Sequence, residues 1–188
     1  MDRVRQRYLG SQDVNAPMVN AEVRNLYDML NRNSYEKGAL VLHMLRGQLG
    51  DTVFQAGIRE YYRRNAHGTA LTADLRAAFE RVSGQNLETF FEQWTNQPGY
   101  PVFRTSHGGW DARRRENLLV ITQIQSTEWP RYQMPLDIVL VWQGGSRRER
   151  VNIVNAREVF TFTTPAPITR VDFDPDRWML YQREGGGR

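Results

Sequence analysis

Pro98-Gly99-Tyr100-Pro101 divides this 188-residue chain into two stretches of different periodicity. Before it, apolar residues recur at the spacing of helices; after it they alternate, as half-buried strands require. The expected architecture is therefore α+β by segments, with a helical unit over residues 1–99, a small antiparallel β-sandwich over 100–183 and a disordered tail over 184–188.

N-terminal to the break, a helix is expected from about Ser34 to Leu49, closed by Gly50. Gly38-Ala39-Leu40-Val41-Leu42-His43-Met44-Leu45 is apolar on nearly every side, which calls for burial rather than a surface position. Asp51 is placed to cap a second helix carrying Phe54, Ile58, Tyr61 and Tyr62 on one stripe. A third follows Thr72, with Leu75, Ala78, Phe79 and Val82 inward and Asp74 in the first turn. Asn86 opens a fourth, with Leu87, Phe90, Phe91 and Trp94 at helical spacing. The aromatic residues of all four read as core. Residues 1–33 are less regular: Val23, Leu26, Tyr27 and Leu30 hint at a turn or two of helix, and Ala16-Pro17 interrupts what precedes.

C-terminal to the break, strands are expected over 117–125, 135–142, 150–154, 158–163 and 168–173, with a last one over 179–182 and a hairpin turn at Gly144-Gly145.

Composition bounds the function. Forty percent hydrophobic residues is a globular content. No apolar run reaches the roughly 20 residues that cross a bilayer, so the chain is expected to be soluble. Cys is absent, and His is confined to His43, His67 and His107, which leaves few metal ligands. The +4 net charge is carried almost wholly by Arg, Lys37 being the only lysine. Runs such as Arg113-Arg114-Arg115 have no nucleic-acid-reading motif beside them, so no nucleic-acid partner is expected. His43 reads as a hydrogen-bonded residue of a mostly apolar helix, and His67 and His107 as exposed loop residues.

The segment Ser34-Tyr35-Glu36-Lys37-Gly38-Ala39-Leu40-Val41-Leu42-His43-Met44-Leu45-Arg46 resembles a signature of the gluzincin zinc aminopeptidases, the family of membrane alanyl aminopeptidase (aminopeptidase N), in which Tyr-x-Lys-Gly-Ala opens a buried helix. Leu49-Gly50-Asp51-Thr52-Val53-Phe54, Leu71-Thr72-Ala73-Asp74-Leu75, Phe90-Phe91-Glu92-Gln93-Trp94 and Gly99-Tyr100-Pro101 fit the closing half of the catalytic domain in the same order. Val171-Asp172-Phe173-Asp174-Pro175-Asp176 is similar to the close of the sandwich that follows it in shorter bacterial members. The resemblance is specific over 34–103 and slight before residue 30.

It implies the end of a thermolysin-like catalytic domain in a bacterial peptidase that finishes near Arg188 and takes peptides as substrate. The family's His-Glu-x-x-His zinc motif and Gly-x-Met-x-Asn amine anchor do not occur in this sequence. The chain is thus expected to hold no metal or other cofactor, zinc belonging to the full-length parent, whose missing N-terminal portion is the expected partner and also sets the compartment. One catalytic part is implied here: Tyr35, whose phenol would face the scissile carbonyl. Hydrolytic attack puts negative charge on that oxygen, and a positioned O–H donor stabilises it. A phenol, with an ordinary pKa near 10, keeps its proton at neutral pH. Glu36 and Lys37 read as a helix-start charge pair, and Gly38 as a site of close backbone approach.

Two other functions fit the sequence. A relative that has lost its zinc site would act as an interaction scaffold. A sandwich displaying Trp110, Trp129 and Tyr132 would serve as an adhesion module. A helical half without its catalytic neighbour would also expose apolar surface around Gly38–Leu45, predicting self-association or a partner covering that helix.

Overall fold

Helices form where the apolar spacing calls for them. The computed structural model describes residues 1–20 and 25–184, and the chain divides into two units, Met1–Gly99 and Tyr100–Arg188.

In the first unit, a π-helical turn over Asn33–Lys37 runs into α2, Gly38–Leu49. Gly50 ends α2 at φ 78°, where a side chain would be strained. α3 spans Asp51–Asn65, α4 Thr72–Ser83 and α5 Glu88–Phe91, and α5 continues as a second π-helical turn over Glu92–Asn96. α1, Asp2–Leu9, is not expected from the apolar pattern because Tyr8 is its only buried residue. The core gathers Tyr8, Leu40, Met44, Leu45, Phe79, Leu87 and Trp94, each at most 1% exposed.

Several expectations need correction here. Asp51 is not a cap: it is the first residue of α3, and its carboxylate takes two 2.8 Å bonds from Arg46. Tyr62 is exposed, unlike the rest of its stripe. Gly38 has ordinary contacts; the close approach is at Gly57, where a Cβ would overlap the Phe79 ring. Leu40, Val41, Met44 and Leu45 are buried within the unit, so α2 does not present the apolar face on which self-association was expected. The turn around residues 23–30 is a 3₁₀ turn over Leu26–Met29, capped by Asn25 Oδ1 accepting from the Tyr27 N–H at 3.0 Å. Val23 and the Leu26 side chain lie outside the described residues.

The second unit holds two sheets. One has the order β5-β2-β1-β7, from β1 Val102–Asp111, β2 Glu116–Gln123, β5 Arg157–Thr163 and β7 Gln182–Arg183; the other is β4-β3-β6, from β3 Met134–Trp142, β4 Gly145–Ile153 and β6 Ile168–Phe173. All pairings are antiparallel except β1 with the two-residue β7. Alternation places Phe103, Leu119 and Ile121 of the first sheet and Leu136, Ile138 and Leu140 of the second in the core. β1 lacks that alternation beyond Phe103, since Ser106, His107 and Gly109 are exposed and Gly109 has φ 66°, which explains why the sequence hides it. The last strand falls at 182–183, not 179–182: Met179 and Leu180 are buried in the loop before it. Glu184 is not part of a loose tail either, because its N–H donates to Phe103 O at 2.8 Å and its carboxylate pairs with Arg104. Residues 185–188, the rest of that expected tail, lie outside the described residues.

Candidate functional site

The π-helical turn that carries Tyr35 is capped by a side chain two residues upstream of it. Asn31 Oδ1 accepts from the N–H groups of Asn33 at 2.9 Å and Ser34 at 3.1 Å, satisfying donors that a helix start leaves open. The Lys37 N–H then donates to Arg32 O at 2.8 Å, the i to i+5 bond that makes the turn π rather than α, and the Tyr35 N–H donates to Asn31 O at 3.2 Å.

Tyr35 is 61% exposed. Its ring is turned away from the interior, and its phenol makes no hydrogen bond to a described residue. Two positions to either side the chain does the opposite: Asn33 is 2% exposed and Lys37 is 0% exposed. Asn33 Nδ2 donates to Asp13 O at 2.7 Å and to Ala16 O at 3.1 Å. Lys37 Nζ donates to Gln97 O at 2.9 Å and lies 5.9 Å from the centre of the Tyr8 ring, within cation–π range. Burial lowers the Lys37 amine to a pKa of about 8, because the charged form loses its hydration. Lys37 is therefore not half of a surface charge pair with Glu36, as the sequence suggested.

Arg32 adds a third tie, its N–H meeting Asp13 Oδ2 at 3.0 Å and its Nη1 meeting Arg7 O at 2.5 Å. The segment 7–16, unremarkable as sequence, is what the turn rests on. The sequence marks position 37 only as the solitary lysine of a chain that otherwise uses Arg, and nothing in it points to the segment 7–16.

His43 is half-buried, and His67 and His107 are exposed. Among the described residues no three His, Asp or Glu side chains gather closely enough to hold a metal ion. The residues present do not make a zinc site. A separate hollow of about 320 Å³ lies beside Leu71, Arg76, Phe91 and Glu92, without Tyr35 in its lining. The aromatic face proposed for an adhesion module is not built: Tyr132 is 0% exposed, and Trp129 packs 5.0 Å from the Tyr100 ring. No helix among the described residues is long and apolar enough to cross a membrane.

A helical unit that carries this turn, followed by a two-sheet unit, matches the fold of an aminopeptidase. Legionella pneumophila aminopeptidase A, solved in complex with aspartic acid, matches 98% of this chain with 22% of its own length at a TM-score of 0.75 and 15% identity. This chain matches the peptidase family M1 domain over residues 4–94. It is 35% identical over 101 residues to aminopeptidase M1-C of Oryza sativa subsp. japonica, covering 54% of this chain and 11% of that one. It is 30% identical over 147 residues to tricorn protease-interacting factor F2 of Thermoplasma volcanium, covering 74% and 16%. Aminopeptidase N of Lactococcus lactis subsp. lactis is 36% identical over 81 residues, 43% of this chain and 9% of that one. The chain thus spans 9% to 16% of the length of these relatives, whose sources are a plant, an archaeon and a bacterium and do not single out a bacterial origin.

Proposed function

We propose that this chain is part of an aminopeptidase that removes N-terminal residues from peptides, and that Tyr35 supplies its oxyanion donor. The observation that carries the reading is the outward Tyr35 on a turn whose side chains two positions to either side, Asn33 and Lys37, are buried. Such a donor sits ready in its final geometry, so it costs no reorganisation when charge develops on the carbonyl oxygen. Family M1 is a zinc peptidase family, and in this reading the metal and the amine anchor belong to sequence outside this chain. The other partner is that same missing portion. Tyr27 at 79% exposed, Leu30 at 61% and Met29 at 44% precede Tyr35 in sequence and suit a surface that the rest of the peptidase covers.

In the intact protein, Tyr35→Phe should lower kcat by about 10² to 10³, equivalent to about 2.7–4 kcal/mol of transition-state stabilisation, while KM changes little. An unchanged kcat would remove Tyr35 from the chemistry. The isolated chain should not turn over aminoacyl-anilides with added zinc; turnover abolished by a chelator would place the metal ligands within it.

A further inference from the structure

We propose that Asn33 and Lys37 are positioning residues for Tyr35, gripping the buried face of its turn from two sides so that the phenol is held outward. The inference rests on Tyr35 being the donor.

Helical geometry makes the arrangement directional. Residues four apart share one face of a helical turn, and the residue midway between them lies near the opposite face. Asn33 and Lys37 form such a pair and Tyr35 is the midpoint, so whatever fixes the pair aims the tyrosine away from it. Both anchors end on backbone carbonyls, Asn33 on Asp13 and Ala16, Lys37 on Gln97. These acceptors sit 20, 17 and 60 residues from their donors in sequence. Main-chain acceptors of that kind do not rotate as side chains do, which makes them suited to fixing an angle.

A lysine is an expensive way merely to fill space. Met is of similar length and could occupy the same volume without an amine to desolvate. At 0% exposed, the Lys37 amine has one directional partner in Gln97 O and one soft contact in the Tyr8 ring. What the amine adds over a methyl group is a directional hold on the turn, two residues from the phenol.

The test uses the chain labelled with 3-fluorotyrosine, its Tyr35 resonance assigned through Tyr35→Phe, together with amide exchange. Lys37→Met should fold, with the amide chemical shifts of α4 unchanged. The Tyr35 and Lys37 amides should exchange at least about tenfold faster, and the Tyr35 fluorine line should shift or broaden. Because the sequence has no cysteine, Lys37→Cys can be aminoethylated while unfolded and then refolded, returning an amine of lysine length. That product should restore both signals. A Lys37→Met chain indistinguishable from wild type in both would overturn the inference. Should a Lys37 variant fail to fold, Asn33→Ala is read in the same way, and an undisturbed Tyr35 signal there overturns it equally. Failure of the underlying reading looks different: an unchanged kcat in Tyr35→Phe of the intact protein removes donor and positioning role together. A kcat loss in Tyr35→Phe beside an undisturbed Lys37→Met turn removes the positioning role alone.

Discussion

The two units treat buried polar groups differently. In the second, they have their bonds filled: Asn117 donates to Thr164 Oγ1 at 2.7 Å and accepts from the Ile168 N–H at 2.9 Å, Gln123 joins Tyr132, Gln125 and Asn155, and the buried carboxylate of Asp174 accepts from the N–H groups of Trp178 at 2.9 Å and Met179 at 2.8 Å. Its arginine–carboxylate pairs across β3 and β4 stay near the surface. The first unit instead places a fully buried ammonium near Tyr35 that, among the described residues, has one hydrogen-bonded carbonyl and the Tyr8 ring for company. Satisfied amides support a scaffold at little risk, whereas a desolvated charge lowers stability unless its geometry is needed. The contrast marks the Tyr35 turn as the place where the fold departs from what stability alone would select.

The largest effect expected from this difference is a pH dependence confined to the first unit. Lys37 has a folded pKa of about 8 against an ordinary 10.5. Between those values the unfolded chain still binds the proton that the folded chain has released, so stability rises with pH across the window. Below it the cost of burying the charge is fully present; above it the cost is gone. The total is about 3 kcal/mol. Exchange-derived stability of α2 and α4, taken as the difference between wild type and Lys37→Met, should climb from pH 8 to 10.5. A flat difference would mean that the amine is not desolvated, and the contrast between the units would lose its basis.

A smaller effect should come from the packing of α3 on α4, which sharpens the comparison by asking how tightly the first unit is built away from its turn. Gly57→Ala puts a methyl group into the Phe79 ring, which itself lies 5.4 Å from the Phe54 ring. Overpacking of this kind costs about 1–3 kcal/mol, against about 1 kcal/mol gained in helix propensity. The net loss should be up to about 2 kcal/mol, read as a lower urea midpoint. Phe79→Leu in the same chain should recover part of it, since the two substitutions share one space. Additive losses would show that the helices have separated rather than strained.

These residues also show what could be read in advance. The helices from Ser34 onward follow from apolar spacing, Gly50 from its place after the last periodic residue, and the strands of 134–173 from alternation. α1 escaped because charged residues fill it and its tertiary contribution is one tyrosine. β1 escaped because its bulge and glycines break the alternation. Tyr35 could be singled out only through its surrounding motif, as no local pattern tells an exposed tyrosine from a buried one. The roles of Asn33 and Lys37 were closed to sequence reading because their acceptors are carbonyls of Asp13, Ala16 and Gln97, and any residue carries a carbonyl there.

The smallest effect belongs to the second unit and has the opposite sign in pH. Asp137 on β3 accepts from Arg150 Nε at 2.5 Å and from Arg148 Nη2 at 2.5 Å, and Arg148 also pairs with Asp176. The Arg150 hydrogen bond first, then that of Arg148, holds the Asp137 carboxyl at about 2, below its ordinary 3.8, against the opposing effect of burial. A depressed carboxylate contributes stability that is complete above the unfolded pKa and is lost as pH falls from near 4 towards 2. Arg148 and Arg150 are 47% and 60% exposed, so solvent screening reduces the contribution to about 1 kcal/mol. Asp137→Asn should therefore cost about 1 kcal/mol at pH 7 and flatten the acid limb of the exchange-derived stability of β3 and β4, leaving the alkaline rise of the first unit untouched. If the acid limb persisted in Asp137→Asn, the arginine network would be an ornament of the surface, and the second unit would owe its stability to its amides and core alone.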